Sequence, residues 1–283
     1  MPIFNCGKML HARIIIPPPP VVKPFCAAAV DLARKMGYNP CMMKEHSDFI
    51  FDLYGTLADI RTDEASPALW RKAALYFGAH GAAYLPAELK ESYLALCDAE
   101  QRKSPDPYYE IELSEVFASL YCDKGVEPDG RLAAETALFF RLASVKKLRL
   151  YPWTLPLIGR LRAAGKGIYL LSNAQSCFTL PELRALGLAD AFDGIAISSD
   201  LGLKKPHPGI MRALLEENGL DPASCVMTGN DRTTDIAIAK AFGMDSVFIR
   251  TESSGGPVPG LEADIETDEL SLKKDPGLLE IWS

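Results

Sequence analysis

Four clusters of residues carry side chains that could do chemistry together. The first is Asp52, followed by Tyr54-Gly55-Thr56-Leu57: a carboxylate, a glycine turn and a hydroxyl. The second is Ser172-Asn173, a hydroxyl beside an amide, and the third is the cation of Lys205-Pro206. The fourth is Gly229-Asn230-Asp231-Arg232-Thr233-Thr234-Asp235, a turn with an amide and two carboxylates. A carboxylate can act as a nucleophile, while hydroxyls and an ammonium can steady negative charge that develops during a displacement. Each cluster alone has a plain structural explanation. Asp52 could cap a turn, Lys205-Pro206 could be a solvated helix entrance, and Asp235 could cap a helix N-terminus. Four such groups on successive strand ends are harder to attribute to packing.

Those strand ends follow from the pattern of apolar runs. Asp48 to Leu53, Gly167 to Ser172, Gly194 to Ser199, Ser224 to Gly229 and Ser246 to Arg250 are nearly uniformly apolar. Strands read this way when helices cover both faces of a parallel sheet. Helical stretches lie between them at Pro152 to Ala164, Pro181 to Leu186, His207 to Asn218 and Thr234 to Phe242. Gly165, Gly187, Gly219 and Gly243 fall just past these, where a left-handed C-cap is wanted. The section from about Thr62 to Leu150 has no strand-like run and reads as four helices, Ala65 to Phe77, Pro86 to Arg102, Tyr109 to Asp123 and Pro128 to Ser144. The pattern predicts an α/β, Rossmann-like doubly wound parallel sheet with an inserted helical cap. Residues 45–61 and 151–283 would form the core and residues 62–150 the cap. Ligands of open α/β sheets sit at the carboxyl ends of the strands, so an insert leaving the first strand would lie over that site as a lid. Residues 1–44, with Pro17 to Pro20, read as a Pro-rich N-terminal extension. The stretch from Gly255 onward reads as edge structure or a short closing helix.

Composition narrows the function classes. The 283 residues are 48% hydrophobic and 24% charged with a net charge of −7, which argues against a general nucleic-acid binder. No apolar stretch is long enough to span a membrane. Seven cysteines without a CxxC pair read as reduced thiols of a cytoplasmic protein. His11, His46, His80 and His207 show no metal-ligand spacing. Trp70, Tyr108 and Tyr109 read as packing within the helical section rather than as pocket walls. Cys177 has no histidine close in sequence to make it a nucleophile.

The order of the four clusters resembles the haloacid dehalogenase-like (HAD) hydrolase superfamily. FDLYGTLAD is similar to its first motif, LLSN to its second, KKPHP to its third and TGNDRTTDIAIAKAFGM to its fourth, over roughly Asp48 to Arg250. The resemblance implies that Asp52 is a nucleophile forming a covalent aspartyl intermediate, with Thr56 tightening its loop. It implies that Ser172 binds the oxygens of the transferring group, that Lys205 neutralises their charge, and that Asp235 completes the catalytic set. Tyr54, Gly55 and Asn173 would face the substrate. In the phosphatase branch Mg²⁺ would be held by Asp52, the Tyr54 carbonyl, Asn230 and the neighbouring Asp231, an oxygen set suited to that ion.

Departures from the family pattern bear on the reaction. Most family phosphatases place a second Asp two residues after the nucleophile as general acid; here Tyr54 stands there, as in the 2-haloacid dehalogenases. Losing a positioned acid costs about 10²- to 10⁴-fold. Yet the tyrosine that dehalogenases carry six residues after the lysine is Met211, and Leu75 to His80 contains no substrate-gripping arginine, leaving Arg71 off by more than a turn. Asn230 removes one negative charge from the cation site. The balance predicts a Mg²⁺-assisted phosphatase of a small phosphomonoester, slow or suited to good leaving groups. The alternatives are a metal-independent 2-haloacid dehalogenase-type hydrolase and a weakly catalytic binding module. A small-molecule substrate is expected in each case, with no nucleic-acid or membrane partner.

Overall fold

The computed structural model describes residues 46–282, and the extension expected over residues 1–44 lies outside the described residues. The first elements are β1 (Asp48–Phe51), β2 (Ala58–Thr62), α1 (Pro67–Ala79), α2 (Pro86–Gln101), α3 (Leu113–Cys122) and α4 (Gly130–Ser144). Next come β3 (Val145–Leu150), α5 (Thr154–Ala163), β4 (Gly167–Ser172), α6 (Ser176–Ala185), β5 (Gly194–Ile197) and α7 (Pro208–Asn218). The last are β6 (Cys225–Gly229), α8 (Ala237–Ala241), β7 (Asp245–Arg250), β8 (Ile265–Asp268), α9 (Glu269–Lys274) and a 3-10 turn at Pro276–Trp282.

Six strands form one parallel sheet in the order β5-β4-β1-β6-β7-β8, which puts β1 inside it. Phe51, the last residue of β1, pairs with Leu170 on one side and Thr228 on the other. Side chains alternate across a strand. Phe49, Phe51, Ile168, Leu170 and Val226 therefore pack on one face with Leu157 and Leu161 of α5. Ile50, Tyr169, Leu171 and Met227 pack on the other with Ile210 and Leu214 of α7. Two covered faces explain why these strands are apolar throughout, and the layering is the predicted Rossmann-like α/β arrangement.

The helices α1 to α4 bury a separate core of Leu69, Trp70, Phe77, Leu89, Phe117, Leu120 and Phe140. Trp70 stacks obliquely on Tyr93 and Phe140 within it, the packing role expected of that residue. One expectation fails in this region. The section 62–150 is not purely helical, because Val145–Leu150 is a strand that pairs antiparallel with β2, Ala58 opposite Leu150. Its sequence, VKKLRL, carries three basic residues and only a broken alternation, and its partner lies about ninety positions away. Local pattern alone could not reveal it. The ribbon is the covalent link between helical insert and sheet. Smaller differences are that α6 begins at Ser176 with Pro181 in its interior, and that Arg232–Ile236 forms a wide π-type turn before α8.

The segment after Gly255 supplies an edge strand, β8, and closes on the sheet through Trp282. That indole is fully buried, and its Nε1 donates to Thr228 Oγ1 at 3.0 Å. Trp282→Ala therefore opens a large cavity beneath β6. It should lower the unfolding free energy by about 3–5 kcal/mol, measured by urea denaturation.

Candidate active site

Asp52 stands one residue beyond β1, and its N–H donates to the Thr228 carbonyl at 2.9 Å, continuing the pairing with β6. The chain then turns sharply. Leu57 and Ala58 N–H groups donate to the Leu53 carbonyl, and Gly55 N–H donates to Ala58. These bonds leave the Tyr54 carbonyl outside the turn's own network. Gly55 has φ +90°, and a Cβ there would lie 2.5 Å from Asn230 Nδ2 and 2.6 Å from Ser253 Oγ, so only glycine fits. Thr56 Oγ1 sits 3.1 Å from Asp52 Oδ2 and 3.3 Å from Asn230 Oδ1.

Lys205 connects the strand ends. Its side chain is 1% exposed, and Nζ lies 2.8 Å from Asp52 Oδ1, 2.7 Å from Asp235 Oδ1 and 2.7 Å from the Leu171 carbonyl. An ammonium has three hydrogens, and here each has an acceptor. Burial pulls its pKa down, but the charges of Asp235 and Asp52 outweigh that and hold it above the usual lysine value, so the group is a cation. Asn173 positions it: Lys205 N–H donates to Asn173 Oδ1 at 2.7 Å, and Asn173 Nδ2 donates to the Lys205 carbonyl at 3.1 Å. Asp235 also accepts from the Asn230 and Asp231 N–H groups at 3.1 and 3.0 Å. Burial pushes the Asp235 carboxyl upward, Lys205 opposes it, and Asp52 adds to it. A Cβ at Gly229 would overlap this carboxylate, which explains the glycine that opens the turn.

Ser172 ends β4 fully buried, and its Oγ has no hydrogen-bond partner. Among the described residues only two other buried side-chain atoms share that condition, His46 Nδ1 and Arg232 Nε. A small cavity of about 240 Å³ opens above Asp52, lined also by Tyr54, Lys205, Asn230, Asp231 and Ser253. Among the described residues, no three His, Cys, Asp or Glu side chains are grouped to hold a metal ion. The cavity is instead lined by the carboxylates of Asp52, Asp231 and Asp235, the last engaged by Lys205, together with Asn230 and Tyr54. That hard-oxygen set suits an ion such as Mg²⁺, which keeps most of its waters. Asp231 Oδ1 already accepts from Thr233 N–H and Oγ1, each at 2.7 Å.

The sequence profile for haloacid dehalogenase-like hydrolases matches residues 49–243. The chain belongs to this family. Among similar proteins, phosphoglycolate phosphatase of Nitrosospira multiformis is 30% identical over 198 residues, covering 69% of this chain and 78% of that one. Phosphoglycolate phosphatase of Rhodospirillum rubrum is 35% identical over 125 residues, covering 44% and 52%. The chain thus spans about half the length of the curated relatives that match first. The fold of a solved 2-haloacid dehalogenase from Pseudomonas syringae superposes with a TM-score of 0.59 at 24% identity, covering 84% of this chain and all of that one.

In this HAD-like hydrolase Tyr54 is not free to serve as an acid. Its hydroxyl donates to Glu182 Oε2 at 2.5 Å and lies 3.1 Å from Thr179 Oγ1. Burial, and then the Glu182 charge, push its pKa far above the ordinary tyrosine value. Glu182 is itself paired with Arg141 of α4 at 2.7 Å, and that guanidinium lies 5.2 Å from the Tyr54 ring centre. Sequence reasoning missed Arg141, Glu182 and Ser253. Only the first had a signal, a basic residue in the last turn of a helix facing the core. Arg71 is exposed and Met211 is buried under the sheet, so neither reaches the cavity. Burial raises the Cys177 thiol to about 12, which keeps it protonated and unreactive.

Removing the central cation tests this arrangement. Lys205→Met leaves Asp52 and Asp235 buried without their partner. Stability at neutral pH should fall by about 3–5 kcal/mol in denaturant titrations. Much of that loss should return in Lys205→Met/Asp235→Asn.

Proposed function

We propose that this hydrolase cleaves a small-molecule phosphate monoester through an aspartyl-phosphate on Asp52, assisted by Mg²⁺. The observation that carries the reading is the Lys205 ammonium, held against the Asp52 carboxylate at the floor of a cavity sized for a small ligand. The similarity to proteins named phosphoglycolate phosphatase supports a phosphoryl substrate. The net charge of −7 supports a small molecule over a nucleic acid. No helix among the described residues is long and apolar enough to cross a membrane, which is compatible with the cytoplasmic location we assign.

In this mechanism an Asp52 carboxylate oxygen attacks phosphorus while the bond to the leaving oxygen breaks. A water then attacks the acyl phosphate, releases inorganic phosphate and regenerates the carboxylate. Splitting the displacement lowers each barrier. The unpartnered Ser172 hydroxyl binds a phosphoryl oxygen, the Lys205 charge beside Asp52 neutralises the developing negative charge, and Thr56 holds Asp52 by its second oxygen. Asp235 positions Lys205, and Asn173 positions the loop that carries it. Asp52, the Tyr54 carbonyl, Asn230 and Asp231 would hold Mg²⁺, which supplies charge neutralisation at the phosphoryl group. The insert over residues 62–150 acts as the cap that covers this site, with Arg141 at its inner edge.

Tyr54 sets the limit on the reaction. With its proton committed to Glu182 it does not protonate a leaving alkoxide, so aryl phosphates, whose leaving groups need little help, should turn over faster than alkyl ones. Activity on an aryl phosphate should depend on added Mg²⁺ and disappear in Asp52→Asn without loss of folding. An active Asp52→Asn enzyme, or metal-free halide release from a 2-chloro acid with no phosphate release, would reject the reading. Tyr54→Asp restores an acid at this position and should raise alkyl-phosphate turnover by at least about tenfold.

A further inference from the structure

The amide at position 230 differs from a carboxylate in one respect: only one of its two ends can accept a hydrogen bond or ligate a cation. The surrounding groups must decide which end faces Asp52. Their polarity can be followed from an atom that has no choice. The Gly55 carbonyl only accepts, so Thr251 Oγ1, 2.8 Å away, donates its single hydrogen there. Thr251 is then an acceptor toward its other neighbours, the Ser253 hydroxyl at 3.3 Å and the Ser254 hydroxyl at 3.4 Å. Ser253 Oγ in turn accepts from Asn230 Nδ2 at 3.1 Å, and the same nitrogen lies 3.5 Å from Thr251 Oγ1.

The chain of donors therefore turns the Asn230 NH₂ toward the loop after β7 and its Oδ1 toward Thr56, on the Asp52 side. Thr56 has one hydroxyl hydrogen and two acceptors within reach, Asp52 Oδ2 and Asn230 Oδ1. It can satisfy only one at a time. Asp52 Oδ2 and Asn230 Oδ1 thus converge on a single hydroxyl, and the one acceptor that it leaves unsatisfied favours a positive charge beside it. The opposite amide orientation would aim two N–H donors at that place.

We propose that Ser253 and Thr251 are positioning residues that hold the Asn230 amide oxygen toward Asp52, so that a neutral side chain serves where an acid would need no orientation. The inference rests on the cation assigned above, and it concerns residues outside the four motif clusters. Gly55 belongs to the same device, because its missing Cβ is what lets Asn230 Nδ2 and Ser253 Oγ approach the turn.

Calorimetric titration of the full chain with Mg²⁺ alone, without substrate, tests it. Ser253 is exposed, so Ser253→Ala should keep the fold, which thermal melting checks. Ser253→Ala should weaken Mg²⁺ binding about tenfold, the effect of freeing one oriented polar contact, and Ser253→Thr should restore it. Thr251→Val should act in the same direction. In an Asn230→Asp background, Ser253→Ala should change the affinity by less than about twofold, since both ends of a carboxylate are oxygens. Wild-type affinity in Ser253→Ala overturns the inference alone, as does an equal loss in both backgrounds. A wild-type chain that binds no Mg²⁺ overturns the cation reading and this inference with it.

Discussion

The rest of the site depends on one buried cation. Lys205 is almost wholly removed from water, and an ammonium there would be untenable without compensation. It receives compensation from three directions: Asp52 at the end of β1, Asp235 from the turn after β6, and the Leu171 carbonyl of β4. These groups come from three neighbouring strands of the parallel sheet, so the ion cluster can form only when the sheet is in register. The same cluster gives Asp52 its chemical character. Lys205 Nζ holds one oxygen of that carboxylate and the Thr56 hydroxyl lies 3.1 Å from the other, so its direction at the strand end is fixed.

Around this cluster the remaining polar groups work through one another. Asn173 clamps the main chain of Lys205, and Asp235 clamps both Lys205 and the amides of the 229–231 turn. Tyr54 is tied through Glu182 to Arg141, which belongs to the helical insert. A second seam joins the insert to the core where Glu110 accepts from Ser198 Oγ and Lys204 N–H donates to the Tyr108 carbonyl. The insert thus touches the loops that carry Lys205 and follow Ser172. Moving it away from the sheet breaks buried ionic contacts as well as apolar ones.

Much of this was legible in the residues. The apolar runs marked five of the six sheet strands because a strand covered on both faces has no polar position to interrupt the run. Asp52, Ser172, Lys205 and Asp235 could be picked out because each lies at the end of such a run or in the loop or turn that follows one. The ribbon strand Val145–Leu150 was not legible, since none of its residues is fully buried and its partner is remote in sequence. Arg141, Glu182 and Ser253 were also hidden. Each sits in an ordinary helix or loop context and gains its role only from what folds against it.

Sequence alone therefore determined the fold class, the family and the carboxylate that heads the site, because these are written in local periodicity and in motifs of contiguous residues. Tertiary structure decided three other matters: that the Tyr54 hydroxyl faces Glu182, that Lys205 is shared between two carboxylates, and that the Asn230 amide is turned by Thr251 and Ser253. The physical reason is that the direction of a hydrogen bond is set by groups brought together from distant strands, and no local pattern encodes it.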